Sequence, residues 1–409
     1  MGSTNILLIS YVFPPYYGIG GRRWARHAGE LANLGYHVDV ICAKNPFEEV
    51  SMWYDHVKNH ENITIHELPT MFPNVLLKSK FNFFEKLQYR FWLATLRIIC
   101  RGNYFDRSAF WKKEVLSKSE ELIRRNSIKN IITTGGPFSV LYFAALLKKK
   151  MPHLNLISDF RDPWTSSETW GYSSLSERRL QYEKLKEKTV LTYSDLITVP
   201  TDSLKDVLAN AYPEFQKKIK VVPHFYDEHE IVILPKTKSK KVRFILYGNL
   251  YRAASDRLKI IAKVFKKFSS QISLDVYSDT LLQKNELLRE NNENIRVFDY
   301  LPPKELFLKF NEYDFVLLVY PDFAKDYIST KYYEIIYSRT PILIFSKSGM
   351  GSEFLVKHNL GIHADVDQLE ETIKDIVLER LDFKYNDGYD VSDYSLSKIT
   401  KDISYLLSF

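Results

Sequence analysis

The sequence predicts an α/β protein built from two Rossmann-like halves, on three observations. Near the start, an apolar strand, a glycine-rich loop, a helix and a second apolar strand follow in the order of a βαβ unit. From Val242 a second series of apolar strands alternates with helical stretches. Between the two lies a polar, basic stretch, 228–241, with Pro235 and the run Lys236-Thr-Lys-Ser-Lys-Lys241, a composition that suits a linker. A length of 409 residues fits two domains or three, and 45% hydrophobic with 26% charged residues is enough apolar material for a sizeable core.

In the first half, residues 5–10 read as a fully buried strand. The loop Pro14-Pro15-Tyr16-Tyr17-Gly18-Ile19-Gly20-Gly21 follows, then a helix over 22–34 closed by Gly35, then a strand over 37–42. The Gly-x-Gly-Gly spacing is not that of a dinucleotide fingerprint, and the second strand ends in Ala43-Lys44 where an acid would be needed. Both points disfavour a nicotinamide-dependent dehydrogenase. Two readings fit Arg22 and Arg23: facing a ligand cleft, or solvated in the first turn.

Residues 81–101 repeat apolar positions at helical spacing (Phe84, Leu87, Phe91, Ala94, Ile98), with Lys86, Arg90, Arg97 and Arg101 on another face. Such a basic amphipathic helix reads either as a membrane-surface element or as a helix packed on its domain with a solvated basic face. Residues 128–134 form a strand running into Thr-Gly-Gly-Pro137, followed by a helix to about Lys150. The strand over 154–158 ends in Asp159-Phe-Arg161-Asp162-Pro-Trp164. Carboxylates at the C-terminal end of a sheet strand can hold sugar hydroxyls, and a tryptophan offers a face to a sugar ring. The alternative is an Arg–Asp pair fixing the turn, with Trp164 in the core. A charged helix over 176–191, a strand over 196–200, a helix capped by Thr201-Asp202-Ser203 and a short strand over 219–222 complete this half.

In the second half the strand over 242–247 leads into Gly248-Asn-Leu-Tyr-Arg252. Strands over 273–277 and 294–298, a helix opened by Pro302-Pro303 and a buried strand over 313–319 come next. The stretch Asp326-Tyr-Ile-Ser-Thr-Lys331-Tyr-Tyr-Glu334 then places an acid, a helix cap at Ser329 or Thr330, and a Lys–Glu pair one turn apart. Pro341 stops the helix. A helix N-terminus after a strand and loop suits a phosphate. A strand over 342–345, a helix opened by Gly349, a strand over 360–365 and an amphipathic helix over about 392–407 end the chain.

Taken together in this order, the glycine loop, Thr-Gly-Gly-Pro-Phe-Ser, Asp-Phe-Arg-Asp-Pro-Trp, Pro223-His-Phe-Tyr-Asp227, Gly-Asn-Leu-Tyr-Arg and Asp326-x7-Glu334 resemble the retaining GT-B glycosyltransferases of the family-4-like type, in a bacterial surface-polysaccharide subgroup. The departures are specific. Asp326 replaces the first acid of the E-x7-E element, and Arg339 with Thr340 replaces the Gly before Thr-Pro. Asp159 stands where the family often has His, and Pro-His-Phe-Tyr-Asp stands for Pro-Asn-Gly-Val-Asp.

The resemblance implies a GT-B fold, two Rossmann-like domains facing across a cleft. Residues 1–227 would be the acceptor-binding domain, 228–241 the linker, 242–388 the nucleotide-sugar domain, and 389–409 a helix crossing back. It implies retaining transfer of a sugar from a nucleotide-diphosphate-sugar donor to a glycan or lipid-linked acceptor, in polysaccharide biosynthesis. Implied catalytic residues are Asp326, Glu334 and Asp159. Implied donor contacts are Gly20, Gly21, Arg252, Arg257, Lys331 and Glu334, with Glu334 on the ribose and the cations on the diphosphate. Implied acceptor contacts are Asp162, Trp164 and Arg161. Neither metal nor cofactor is expected. A sugar-nucleotide epimerase of similar fold and a non-catalytic binding protein on the same scaffold are the alternatives.

Net charge is +7 with no long Lys/Arg run, which fits anionic small ligands or acidic lipid and does not favour nucleic acid. Cys42 and Cys100 sit in apolar contexts and read as reduced, buried thiols. The polar Gly2-Ser3-Thr4 start gives no signal peptide, and no apolar run approaches a membrane span. The expected location is cytoplasmic, at the inner membrane face if 81–101 docks there.

Overall fold

The structure is a computed structural model that describes residues 5–78, 80–167, 170–237 and 239–407. The polar start Gly2–Thr4, Lys238 of the basic stretch and the last two residues of the expected C-terminal helix lie outside the described residues.

The strands, in chain order, are β1 Asn5–Ser10, β2 His37–Ala43, β3 Ile63–Leu68, β4 Asn130–Thr134, β5 Asn155–Asp159, β6 Leu196–Val199, β7 Ile219–Val221, β8 Val242–Tyr247, β9 Ile272–Tyr277, β10 Ile295–Phe298, β11 Phe315–Val319, β12 Ile342–Phe345 and β13 Gly361–Ala364. The α-helices are α1 Arg22–Asn33, α2 Phe83–Ile99, α3 Lys112–Arg125, α4 Ser139–Lys150, α5 Glu177–Tyr193, α6 Asp202–Ala211, α7 Ser255–Lys267, α8 Leu281–Leu288, α9 Pro303–Lys309, α10 Thr330–Tyr337, α11 Met350–Lys357, α12 Leu369–Val377 and α13 Leu396–Leu406.

The chain divides into two compact units, one of residues 1–223 with 396–409, the other of 224–395. The first holds a seven-stranded sheet in the order β3-β2-β1-β4-β5-β6-β7, the second a six-stranded sheet in the order β10-β9-β8-β11-β12-β13. Every pairing is parallel, in register such as Ile6↔Val38 and Ile6↔Asn130, or Val316↔Ile342 and Val316↔Ile245. Parallel sheets need helical crossovers and are covered on both faces, so their strands are near-continuous apolar runs. The run Val242–Tyr247 shows how: Phe244 and Leu246 enter one core cluster, Ile245 and Tyr247 the cluster on the opposite face.

Both strand orders are doubly wound, and each reverses direction once, between β1 and β4 in the first unit and between β8 and β11 in the second. Ligands of such sheets bind in the crevice outside the strands' carboxyl ends at that switch point.

Segment 228–241 is anchored to the second unit. Lys236 is an exposed residue whose ammonium donates to Phe310 O (3.1 Å), Tyr313 O (2.9 Å) and Thr340 Oγ1 (2.8 Å). In the first unit α13 packs on α1, with Leu396, Ile399 and Ile403 buried and His27 Nδ1 2.8 Å from Thr400 Oγ1. Cys42 is buried, Cys100 half-buried, and both are free thiols.

Candidate functional site

At the switch point of the second unit, a cavity of about 120 Å³ opens between the ends of β8 and β11. Tyr247, Asn249 and Tyr251 line it from the β8 side, Val319 and Tyr320 from the β11 side, and Ser329, Thr330 and Lys331 from the start of α10. Ser329 is the N-cap of α10, yet its hydroxyl lies 3.1 Å from the Tyr320 hydroxyl and does not cap the helix. The positive end of the helix dipole is thus presented at the cavity wall.

Lys331 is the only lysine among the lining residues. Its Nζ donates to the Tyr247 carbonyl at 2.8 Å and stands 4.9 Å from the centroid of the Tyr247 ring. The approach depends on Gly248, whose φ is +81°. A Cβ there would lie 2.9 Å from Lys331 Nζ and 3.3 Å from Cε, so glycine serves both the backbone conformation and the fit. Enclosure lowers the ammonium's pKa to about 8, and the Glu334 charge opposes that fall. Glu334, one turn on, is only 3% exposed. Of these two expected residues Lys331 lines the cavity, and Glu334 is not among its lining residues.

The other expected donor residues take different places. Arg257 is buried and donates to Asp322 Oδ1 at 2.5 Å, and Lys347 meets Asp322 Oδ2 at 2.6 Å. These two cations hold the Asp322 carboxyl below its usual range. Arg257 thereby ties α7 to the loop after β11. Arg252 is exposed in the turn before α7, next to Tyr251 of the cavity. Asp326 Oδ1 accepts the N–H of Met350 at 3.0 Å, so it holds the start of α11. Gly248, Asn249 and Tyr320 were not singled out from the sequence as site residues. A glycine immediately after a buried strand was the available signal for the first.

In the first unit the switch point is flanked by the loop after β1 and the loop after β4. The two cis peptide bonds, Pro14–Pro15 and Gly136–Pro137, fall in these loops. Arg161 clamps them together. Its guanidinium donates to Gly135 O (3.0 and 2.8 Å), to Gly136 O (3.3 Å) and to Gly20 O. Gly136 has φ +78°, and a Cβ there would stand 3.0 Å from Arg161 Nη2. Gly21 follows Gly20 with Val12 O and Pro14 Cδ close behind it. Beside this clamp lies a cavity of about 320 Å³, with Phe105, Phe138, Trp170 and Tyr172 as aromatic walls and Asn103, Asp106 and Arg107 as polar ones. Asp162 is half-buried; burial raises its pKa, while Arg161 and a hydrogen bond from Trp170 oppose the rise.

Asp159 and Trp164 are placed inside the unit. Asp159 is 1% exposed, and its oxygens accept from Trp24 Nε1 (2.7 Å), Thr134 Oγ1 (2.9 Å) and Thr198 Oγ1 (2.9 Å), with Arg23 Nε at 3.8 Å. As placed it is a strut joining α1, β4, β5 and β6. Trp164 is fully buried, stacked on Phe138 (5.3 Å, 12°) and donating to Glu183 Oε2 at 3.1 Å. It offers no open face to a sugar ring. The reading of Arg22 and Arg23 as solvated does not hold: both are buried, Arg22 against the Trp53 ring at 5.0 Å and Arg23 donating to Val222 O and Pro223 O at 3.0 Å each.

No family model matches the chain, and no curated protein matches it. Solved structures do share its fold over nearly the whole length. Anabaena HepE in complex with UDP and glucose superposes with a TM-score of 0.64 at 12% identity, covering 99% of both chains. A glycosyltransferase from Rickettsia africae gives 0.64 at 13% identity, covering 99% of this chain and 98% of its own. A UDP-N-acetylglucosamine 2-epimerase gives 0.58 at 12% identity, covering 98% and 94%. The chain has the GT-B fold of two Rossmann-like units.

Proposed function

We propose that the protein is a glycosyltransferase that takes a sugar from a nucleoside-diphosphate sugar and passes it, with retention and without a metal, to a glycan or lipid-linked acceptor in polysaccharide biosynthesis. The observation that carries this is the enclosed Lys331 ammonium at the switch-point cavity of the second unit, beside the start of α10 and one turn from Glu334. A cation and a helix N-terminus together suit a diphosphate, and a buried carboxylate suits paired ribose hydroxyls. The named glycosyltransferases of the same fold support the class.

In this reading the bond from the anomeric carbon to the diphosphate oxygen breaks and a bond to the acceptor oxygen forms. The acceptor proton leaves to the departing phosphate. Lys331 and the helix start stabilise the charge that develops on the diphosphate. In this reading Arg252, exposed beside Tyr251, supplies a second cation to the same group. The clamped loops of the first unit, with Arg161 and Asp162, and the adjoining aromatic cavity take the acceptor. The shared fold with a 2-epimerase supports one rival, conversion of the nucleotide sugar itself.

The test has two arms. Thermal denaturation against a panel of nucleoside diphosphates and nucleotide sugars is expected to show one ligand raising stability, by about 2.7 kcal/mol at a hundredfold excess over Kd. Glu334→Gln is expected to remove roughly 2 kcal/mol of that binding. Donor consumed only when acceptor is present supports transfer; conversion of donor alone establishes the epimerase. No stabilisation by any of these ligands overturns the proposal.

A further inference from the structure

Helix α2 presents its apolar face outward. Of its seventeen residues only Leu96 is buried. With the partly buried Leu93 it packs against Phe72 and Tyr104. At about 100° per residue, Glu85 and Tyr89 share that inner side. Phe83, Phe84, Leu87, Phe91 and Ile98 fall within one sector on the opposite side, and they are 71%, 74%, 51%, 64% and 84% exposed. The exposed Lys86, Arg90 and Arg97 run along one edge of this stripe.

The helix is held firmly. Asn82 and Glu85 form a capping box at its start, and Glu85, its sole acid, also meets Lys78 at 2.5 Å. At its end the Arg179 guanidinium takes the carbonyls of Arg97, Cys100 and Gly102. The outward stripe is therefore a fixed feature of a well-anchored helix, and a contiguous patch of five large apolar side chains marks a docking surface.

Charge selects the occupant. The row of cations has no exposed acid on the helix to balance it, so a second copy would bring like charge against like. Among the described residues no helix is long and apolar enough to cross a membrane, so an α2 that meets a bilayer would lie along its surface. We propose that α2 docks in the plane of an anionic lipid bilayer, with the Phe83–Ile98 stripe among the acyl chains and Lys86, Arg90 and Arg97 at the phosphate headgroups.

Flotation of the full chain with vesicles of phosphatidylcholine, with and without phosphatidylglycerol, tests this independently of transfer activity. Binding is expected to be roughly tenfold higher on the anionic vesicles and to fall as salt is raised. Phe84→Ser with Phe91→Ser, and separately Lys86→Gln with Arg90→Gln, are expected to cut it roughly tenfold with circular dichroism and melting unchanged, since all four side chains are exposed. Equal binding to both vesicle types, or folded variants that bind like the parent, overturns the proposal. So does a stripe that instead holds a dimer, seen as a doubled mass in light scattering that the Phe84→Ser/Phe91→Ser variant abolishes.

Discussion

Lys331 combines two properties that pull against each other: it must be charged to hold an anion, and its enclosure penalises that charge. Its pKa of about 8 against an ordinary 10.5 means that the folded state carries a penalised cation below about pH 8. The penalty fades as pH rises toward 10.5, because the unfolded chain then binds more protons than the folded one. From this group stability gains with pH across that window. A bound diphosphate reverses the preference by restoring a counter-charge, so ligand affinity runs the other way. Nucleoside diphosphate binding is expected to weaken roughly tenfold between pH 7 and pH 9, as the free protein loses the proton that the complex requires. Titration calorimetry at the two pH values checks this, and Lys331→Met is expected to bind weakly at both with the dependence gone.

At the scale of elements, α10 ends in a Schellman arrangement. Arg339 N–H reaches Ile336 O at 2.9 Å and Thr340 N–H reaches Ile335 O at 3.3 Å. The residue that must turn left-handed is Arg339, with φ +56°, where glycine is the ordinary choice. Arg339→Gly is expected to stabilise the protein by about 1 kcal/mol, read from the denaturant midpoint at unchanged slope. Asp326 bears on α11 in the same way. Asp326→Ala, which removes the acceptor of the Met350 N–H, is expected to cost about 1 kcal/mol of stability. Asp326→Asn keeps an acceptor oxygen and is expected to keep most of that stability. If the carboxylate charge also acts on the sugar, Asn alone lowers kcat; an unchanged kcat leaves Asp326 as a helix cap.

The same elements show what could be read from the sequence. Both sheets were legible because parallel, doubly covered strands are apolar runs, and the pairing of Lys331 with Glu334 follows from helical spacing. Edge strand β3 was missed because it alternates polar residues and buries only Ile63. Helix α5 reads as a charged helix, yet Glu183, Lys186 and Glu187 are buried. Glu183 accepts from Lys186 at 3.0 Å, and Glu187 accepts from the Tyr212 hydroxyl at 3.0 Å. Asp159 was placed correctly at a strand's carboxyl end, but the donors that enclose it come from Trp24, Thr134 and Thr198. No local pattern announces partners so distant in sequence.

At the scale of the whole chain, the second unit is one continuous segment, 224–395, whereas the first is completed by 396–409 returning from the far end. Truncation and excision should therefore act differently. Ending the chain at Ser395 removes α13 and uncovers the face of α1 that meets Leu396, Ile399 and Ile403. Burial of each such side chain contributes about 1.5–3 kcal/mol as an upper estimate, so this truncation is expected to lower the melting temperature markedly and raise binding of a hydrophobic dye. The cavity lined by Tyr247, Asn249, Tyr320 and Lys331 lies wholly within 224–395, and so do the core clusters around it. Expressed alone, that segment is expected to fold and to bind the same nucleoside diphosphate with a Kd within about threefold of the full chain. Calorimetry on the two proteins decides it: a folded segment that has lost the ligand would move part of the nucleotide site to residues outside 224–395.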